Sequence, residues 1–201
     1  MVDRRTIHTF GDSHCVAGWI NIPGVKIHHI GPMLAHSFGN KPNKLHRLRK
    51  SGVTNDDVVV FCFGEIDCRC HVKKHISKER SYESVIDEIV ANYLLAIQSK
   101  TKLLSGLKVC VYNVPPAVHK ATTREFPQHP YVGTDEERRT YVEYFNACLR
   151  RLCPQFGYVF FDIYDQCVDE EGFLLQEISD HICHVIDETI IGGFLNKVLS
   201  A

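Results

Sequence analysis

Val58-Val59-Val60-Phe61-Cys62-Phe63 is apolar at every position. A strand with one wet face alternates apolar and polar residues, whereas a strand covered on both faces does not. The run is therefore expected inside a parallel sheet with helices on each side. Four other segments read as strands: Thr6–Phe10, Val25–Ile30, Leu107–Tyr112 and Tyr158–Ile163. Helical patterns lie between them. Ser84–Leu103 carries Val85, Ile86, Ile89, Val90, Tyr93, Leu94 and Ile97 at helical spacing. Thr134-Asp135-Glu136-Glu137 has the form of a capping box and opens a helix with Val142, Phe145, Leu149 and Leu152 on one face. A third helix is expected over Asp187–Leu199, interrupted by the poor helix formers Gly192 and Gly193. Shorter helices are expected after Ser13 and around Lys44–Lys50. Strands alternating with helices imply right-handed crossovers and a three-layer α/β domain.

With 201 residues, 44% of them hydrophobic, the chain is expected to form one domain over residues 1–201 with a full core. No apolar run approaches the about 20 residues of a membrane span. The N-terminus shows no apolar leader. The net charge of −1 gives no global signal for nucleic acid or an anionic membrane, so neither partner is expected. Nine cysteines are an odd count, and Cys62, Cys110 and Cys148 fall at apolar strand or helix positions. Buried free thiols are expected, and with them a reducing, cytoplasmic location.

In open α/β sheets, sites form at the carboxyl ends of the strands. Gly11–Ser13, Gly31, Gly64–Asp67 and Asn113-Val114-Pro115-Pro116 each follow a strand and share one rim. In Gly11-Asp12-Ser13-His14, Asp12 or Ser13 suits a helix cap, and Ser13 equally suits an exposed nucleophile. A serine needs a base to take its proton. Ser179-Asp180-His181-Ile182-Cys183-His184 supplies imidazoles and a carboxylate near the other terminus. Adjacent residues rarely point at each other, which favours His184 over His181 as the partner of Asp180. A second ionisable cluster, Glu65, Asp67 and Arg69, closes the most buried strand. It reads either as a loop held by an Asp–Arg pair or as a site loop addressing substrate. The irregular, Pro- and His-rich segment 114–133 suits a lid or substrate wall.

Taken in order, Gly11-Asp12-Ser13, a glycine after the second strand, a Gly-x-x-Asp loop after the third and the late Asp/His segment resemble the SGNH (GDSL-type) hydrolases. The resemblance runs from about residue 6 to residue 199. It implies a flavodoxin-like α/β/α domain with a five-stranded parallel sheet. It also implies hydrolysis of carboxylic esters by Ser13, His184 and Asp180, without a cofactor. The implied oxyanion donors are the backbone N–H of Ser13, that of Gly31 or Gly39, and a third-block asparagine. Here Ile66 stands at the asparagine position, so Arg69 or Asn113 is expected to substitute. The family places its aspartate three residues before the histidine, whereas Asp180 is four before His184. The expected substrate is a small-molecule or glycan ester, acetyl above all, met by a polar rim of Glu65, Arg69, His119 and His129. Two other readings remain: acyl transfer to a sugar acceptor, and a binding module that kept the fold.

Cys68, Cys70, His71 and His75 are crowded enough to raise a metal site, but no second pair stands at zinc-finger spacing, and no metal is expected. His28 and His29 are strand neighbours and point to opposite faces. Lys41, Lys44, Arg47, Arg49 and Lys50, with Lys73, Lys74, Lys78 and Arg80, read as a solvated basic face.

Overall fold

The computed structural model describes residues 5–40 and 48–200. Five parallel strands form one sheet: β1 (Ile7–Gly11), β2 (Val25–His29), β3 (Val58–Cys62), β4 (Lys108–Tyr112) and β5 (Val159–Phe161). Their spatial order is β2-β1-β3-β4-β5. Ile7 is level with Val25 on one side and Val58 on the other. The strands therefore end together, and their carboxyl ends make a single rim. The helices are α1 (Ala35–Asn40), α2 (Val72–His75), α3 (Tyr82–Thr101), α4 (Asp135–Leu152) and α5 (Glu188–Ser200).

The apolar run that makes β3 and the residue after it divides by parity, as a strand must. Val59, Phe61 and Phe63 pack into a core with Phe38 of α1, Ile86 and Ile89 of α3, and Phe145 and Leu149 of α4. Val58, Val60 and Cys62 pack into a second core with Trp19 and with Ile191, Leu195 and Val198 of α5. The result is a three-layer α/β/α domain with β3 covered on both faces.

The capping box forms as read. Thr134 Oγ1 accepts from the N–H of Glu137 at 3.2 Å, and Glu137 accepts from the N–H of Thr134 at 3.0 Å. α3 starts at Tyr82 rather than Ser84, because Ser81 caps it. α5 runs through Gly192-Gly193 because Ile191, Leu195 and Val198 dock on the sheet, and tertiary packing outweighs propensity there. After Ser13 only a 3-10 turn forms, Ser13–Cys15. Most of the basic helix expected around Lys44–Lys50, with Lys41, Lys44 and Arg47, lies outside the described residues; Leu48–Ser51 is a 3-10 turn. Two helical pieces were not legible as such: α1, and the π-type turn Asp67–His71 that leads into α2.

All nine cysteines are free and buried. Among the described residues no helix is long and apolar enough to cross a membrane.

Candidate active site

Strand ends place Ser13 and the Glu65–Arg69 cluster, and a turn closed by the bridge between Ser179 and Val185 places Asp180 and His184. β1 closes at Gly11 hard against β3: a Cβ there would lie 2.2 Å from the carbonyl oxygen of Cys62. The chain then turns, and Asp12 is fully buried beneath the turn. One oxygen of its carboxyl accepts from the N–H of His14 at 2.9 Å. Burial pushes the Asp12 carboxyl well above the usual range. Asp12 thus does the capping and Ser13 is left exposed above it. This corrects the placement of Asp12 among substrate-facing groups.

Ser13 Oγ lies 2.7 Å from His184 Nε2, and His184 Nδ1 lies 2.6 Å from Asp180 Oδ2. The other carboxylate oxygen of Asp180 accepts the N–H groups of Ile182, Cys183 and His184 at 3.0, 3.1 and 3.0 Å. Burial alone would raise the Asp180 carboxyl. The bonds from the His184 side chain and backbone outweigh it and hold Asp180 well below the usual carboxylate range. An ionised carboxylate only accepts. His184 Nδ1 therefore carries the proton, and Nε2 is free to accept from Ser13. His181 points elsewhere: it is exposed, and its Nδ1 lies 3.4 Å from Gln176 Oε1. Its φ of +59° shows how the longer spacing is accommodated. The extra residue turns through the left-handed region, and Asp180 still reaches the His184 ring.

Beyond β3, Gly64 has φ +124°, and a Cβ there would meet Val114 Cγ2 at 2.6 Å. Only glycine allows this turn. The cluster that follows splits into two tasks. Glu65 and Arg69 form a buried ion pair, with Arg69 Nη2 3.2 Å from Glu65 Oε2. The same oxygen lies 3.6 Å from His14 Nε2. Burial acts to raise the Glu65 carboxyl, but Arg69 and His14 outweigh it, and it sits below its ordinary value. Burial pushes His14 down to about 4, leaving it neutral at pH 7, with its ring centroid 4.5 Å from that of His184.

Asp67 has the other task. Fully buried, it accepts from the N–H groups of Ala35 at 2.6 Å and His36 at 3.1 Å, and so holds the start of α1. Burial pushes its carboxyl up to about 7. It ties the loop after β2 to the loop after β3 and does not face substrate, contrary to its expected place. Asn113 is corrected in the same way. Its amide donates to the Val114 carbonyl at 3.0 Å and accepts from the N–H of Ile163 at 3.1 Å, joining the ends of β4 and β5. A buried amide so engaged is not a spare donor.

Ser13 and His184 open onto a cleft of about 260 Å³. Its walls include Ile66 and Arg69 from the third-strand loop and His29 and Pro32 from the second. Gly31, with φ +84°, sits between those last two. Gly39 lies instead on α1, where a Cβ would come within 3.0 Å of Asn92 on α3. It serves helix packing. Segment 114–133 supplies Phe126, Gln128 and His129 to the cleft and acts as a wall. His119 does not reach it: Nδ1 lies 3.1 Å from Asp135 and its ring packs on Phe173. Phe126 and Gln128 were not singled out in the sequence, because an irregular loop has no period from which facing can be read. Cys68 and Cys70 point inward, Cys70 toward the Ile66 carbonyl at 3.2 Å, while His71 and His75 stack with His36. The Cys/His crowding in the sequence does not converge.

The chain matches no family model, and no curated protein matches it in sequence. Solved structures do share its fold. A Bacteroides fragilis protein provisionally assigned as an acylhydrolase superposes with a TM-score of 0.66 at 14% identity, over 100% of this chain and 88% of its own. A catalytic mutant of an acetylxylan esterase from Geobacillus stearothermophilus gives 0.58 at 11% identity, over 98% and 94%. A Slackia heliotrinireducens protein provisionally assigned as an SGNH hydrolase gives 0.53 at 11%, over 97% and 98%. At these identities the likeness is one of fold.

Proposed function

We propose that the chain is a serine esterase of the SGNH kind, cleaving small acyl esters. The observation that carries this reading is the hydrogen-bonded series Ser13, His184, Asp180, at 2.7 and 2.6 Å, opening on a cleft at the rim of the sheet. Ser13 Oγ attacks the ester carbonyl while His184 Nε2 takes its proton. Asp180 fixes the imidazole and stabilises its charged form. His184 then gives that proton to the leaving alcohol. A water activated by the same nitrogen cleaves the acyl-enzyme.

The developing oxyanion is assigned to the backbone N–H groups of Ser13 and Gly31. Ile66 offers no side-chain donor. Arg69 is the best replacement, because it lines the cleft together with Ile66. One missing donor typically costs about 100- to 1000-fold in rate, so Arg69 decides whether turnover is fast. The cleft volume and its mixed wall of Phe126, Gln128 and His129 suit an acetyl group on a carbohydrate alcohol. A sugar acceptor in place of water would turn the same residues to acyl transfer. Nine reduced thiols favour a cytoplasmic setting.

The substitution at Ile66 favours one other reading, a binding module that keeps the triad without turnover. A serine-directed fluorophosphonate separates the two. Labelling of the wild type and of His181→Ala, but not of Ser13→Ala or His184→Ala, is expected of the esterase. A wild type that never labels is a binding module. Acetyl release from acetylated sugars, compared with longer esters, then tests the acyl preference.

A further inference from the structure

Three ligand atoms meet just behind Ser13. Cys183 Sγ lies 3.9 Å from His14 Nε2 and 3.9 Å from His184 Nε2, and all three atoms lie within 4.8 Å of one another. No other group of three such atoms converges among the described residues. We infer that His14, Cys183 and His184 form a binding site for a borderline-soft divalent cation of the zinc class, whose occupancy shuts off Ser13.

The donor set argues for that class. Two imidazoles and a thiolate suit zinc, and poorly suit magnesium or calcium, which take oxygen. With bonds of about 2.0 Å to nitrogen and 2.3 Å to sulfur, the three atoms need only draw in by roughly 1 Å. The site is also built for charge. Glu65 Oε2 is buried, 3.6 Å from His14 Nε2 and 3.2 Å from Arg69 Nη2. Glu65, Asp180 and a Cys183 thiolate together balance the ion and Arg69. Cys183 and His184 line the cleft, and His14 is buried behind them. On binding, the Cys183 thiol gives its proton to solvent and its sulfur bonds the metal. His184 Nε2 uses its lone pair on the metal, and Ser13 loses its proton acceptor. The binding claim stands on the ligand geometry alone; the shut-off rests on the esterase reading of Ser13 and His184.

The test adds cobalt(II), as a visible stand-in for zinc, to the reduced full chain. One equivalent is expected to bind with a thiolate-to-metal charge-transfer band. Cys183→Ser should abolish the band. Cys183→Ser and His14→Gln should each weaken zinc binding by about 100-fold, the upper end of what loss of even a supporting group costs. His71→Ala, in the separate histidine stack, should change nothing. Circular dichroism of the metal-free variants establishes that they fold. A wild type without the band, or a zinc affinity that follows His71 and not Cys183, overturns the proposal. Zinc should also slow fluorophosphonate labelling in the wild type, and the ratio of labelling with and without zinc should return toward one in Cys183→Ser. If the wild type never labels, the esterase reading fails while the cobalt band still decides the metal site.

Discussion

Asp180 spends four hydrogen bonds on two oxygens: three from backbone N–H groups and one from His184. The first three shape the turn and the fourth sets the tautomer of His184. An amide in its place keeps the size and loses the charge. Asp180→Asn is expected to cut ester turnover by about 10⁴-fold, the size of effect seen when an orienting aspartate is neutralised in a serine protease. It should also change the pH dependence of stability. The folded carboxyl sits below its ordinary value, so it stabilises the fold above about pH 4, and that contribution is lost as pH falls through the folded value. The wild type should therefore melt higher than Asp180→Asn at pH 7, with the gap closing below about pH 4. A gap that stays constant to pH 3 would contradict this. Ser13, Asp180 and His184 were legible one by one because strand ends and turns announce themselves in local sequence. The tasks of Asp12, Asp67 and Asn113 were not. Each is set by a partner on another loop, and a buried carboxylate looks the same in sequence whether it touches substrate or backbone.

The elements show the same division. Four letters, Thr134 to Glu137, were enough to place the start of α4, because a capping box is closed within one turn. Thr134→Ala should cost about 1 kcal/mol, measured by urea denaturation, with ester turnover unchanged. A cost near zero would mean that Glu137, which also pairs with Lys73, holds the turn without it. The helical turn over Asp67–His71 could not be read this way. Its stretch mixes charged residues with cysteines, and it is helical because Arg69 and Glu65 pair across one turn while Asp67 reaches α1. Propensity says little where tertiary bonds decide.

At the scale of the molecule, one fully apolar strand and the crossover rule made the three-layer parallel sheet legible, while the order β2-β1-β3-β4-β5 is set by pairing that no single strand records. The thiols follow from where the cores lie: Cys62 and Cys110 point into the core under α5, while Cys148 and Cys153 face the other. None is paired, so a reductant should leave the melting temperature unchanged; a fall would reveal a bond among them. The cleft wall is less independent of the sheet than a surface loop usually is. The N–H of Val132 donates to the carbonyl of Arg69 at 3.0 Å, and the guanidinium groups of Arg69 and Arg138 lie 5.2 and 5.1 Å from the centre of the Tyr131 ring. The cleft wall is thereby bolted to Arg69, the side chain proposed for the oxyanion. On the proposed reading, segment 114–133 is not a cassette to be traded alone, because a change in this wall is felt at Arg69 in the same step.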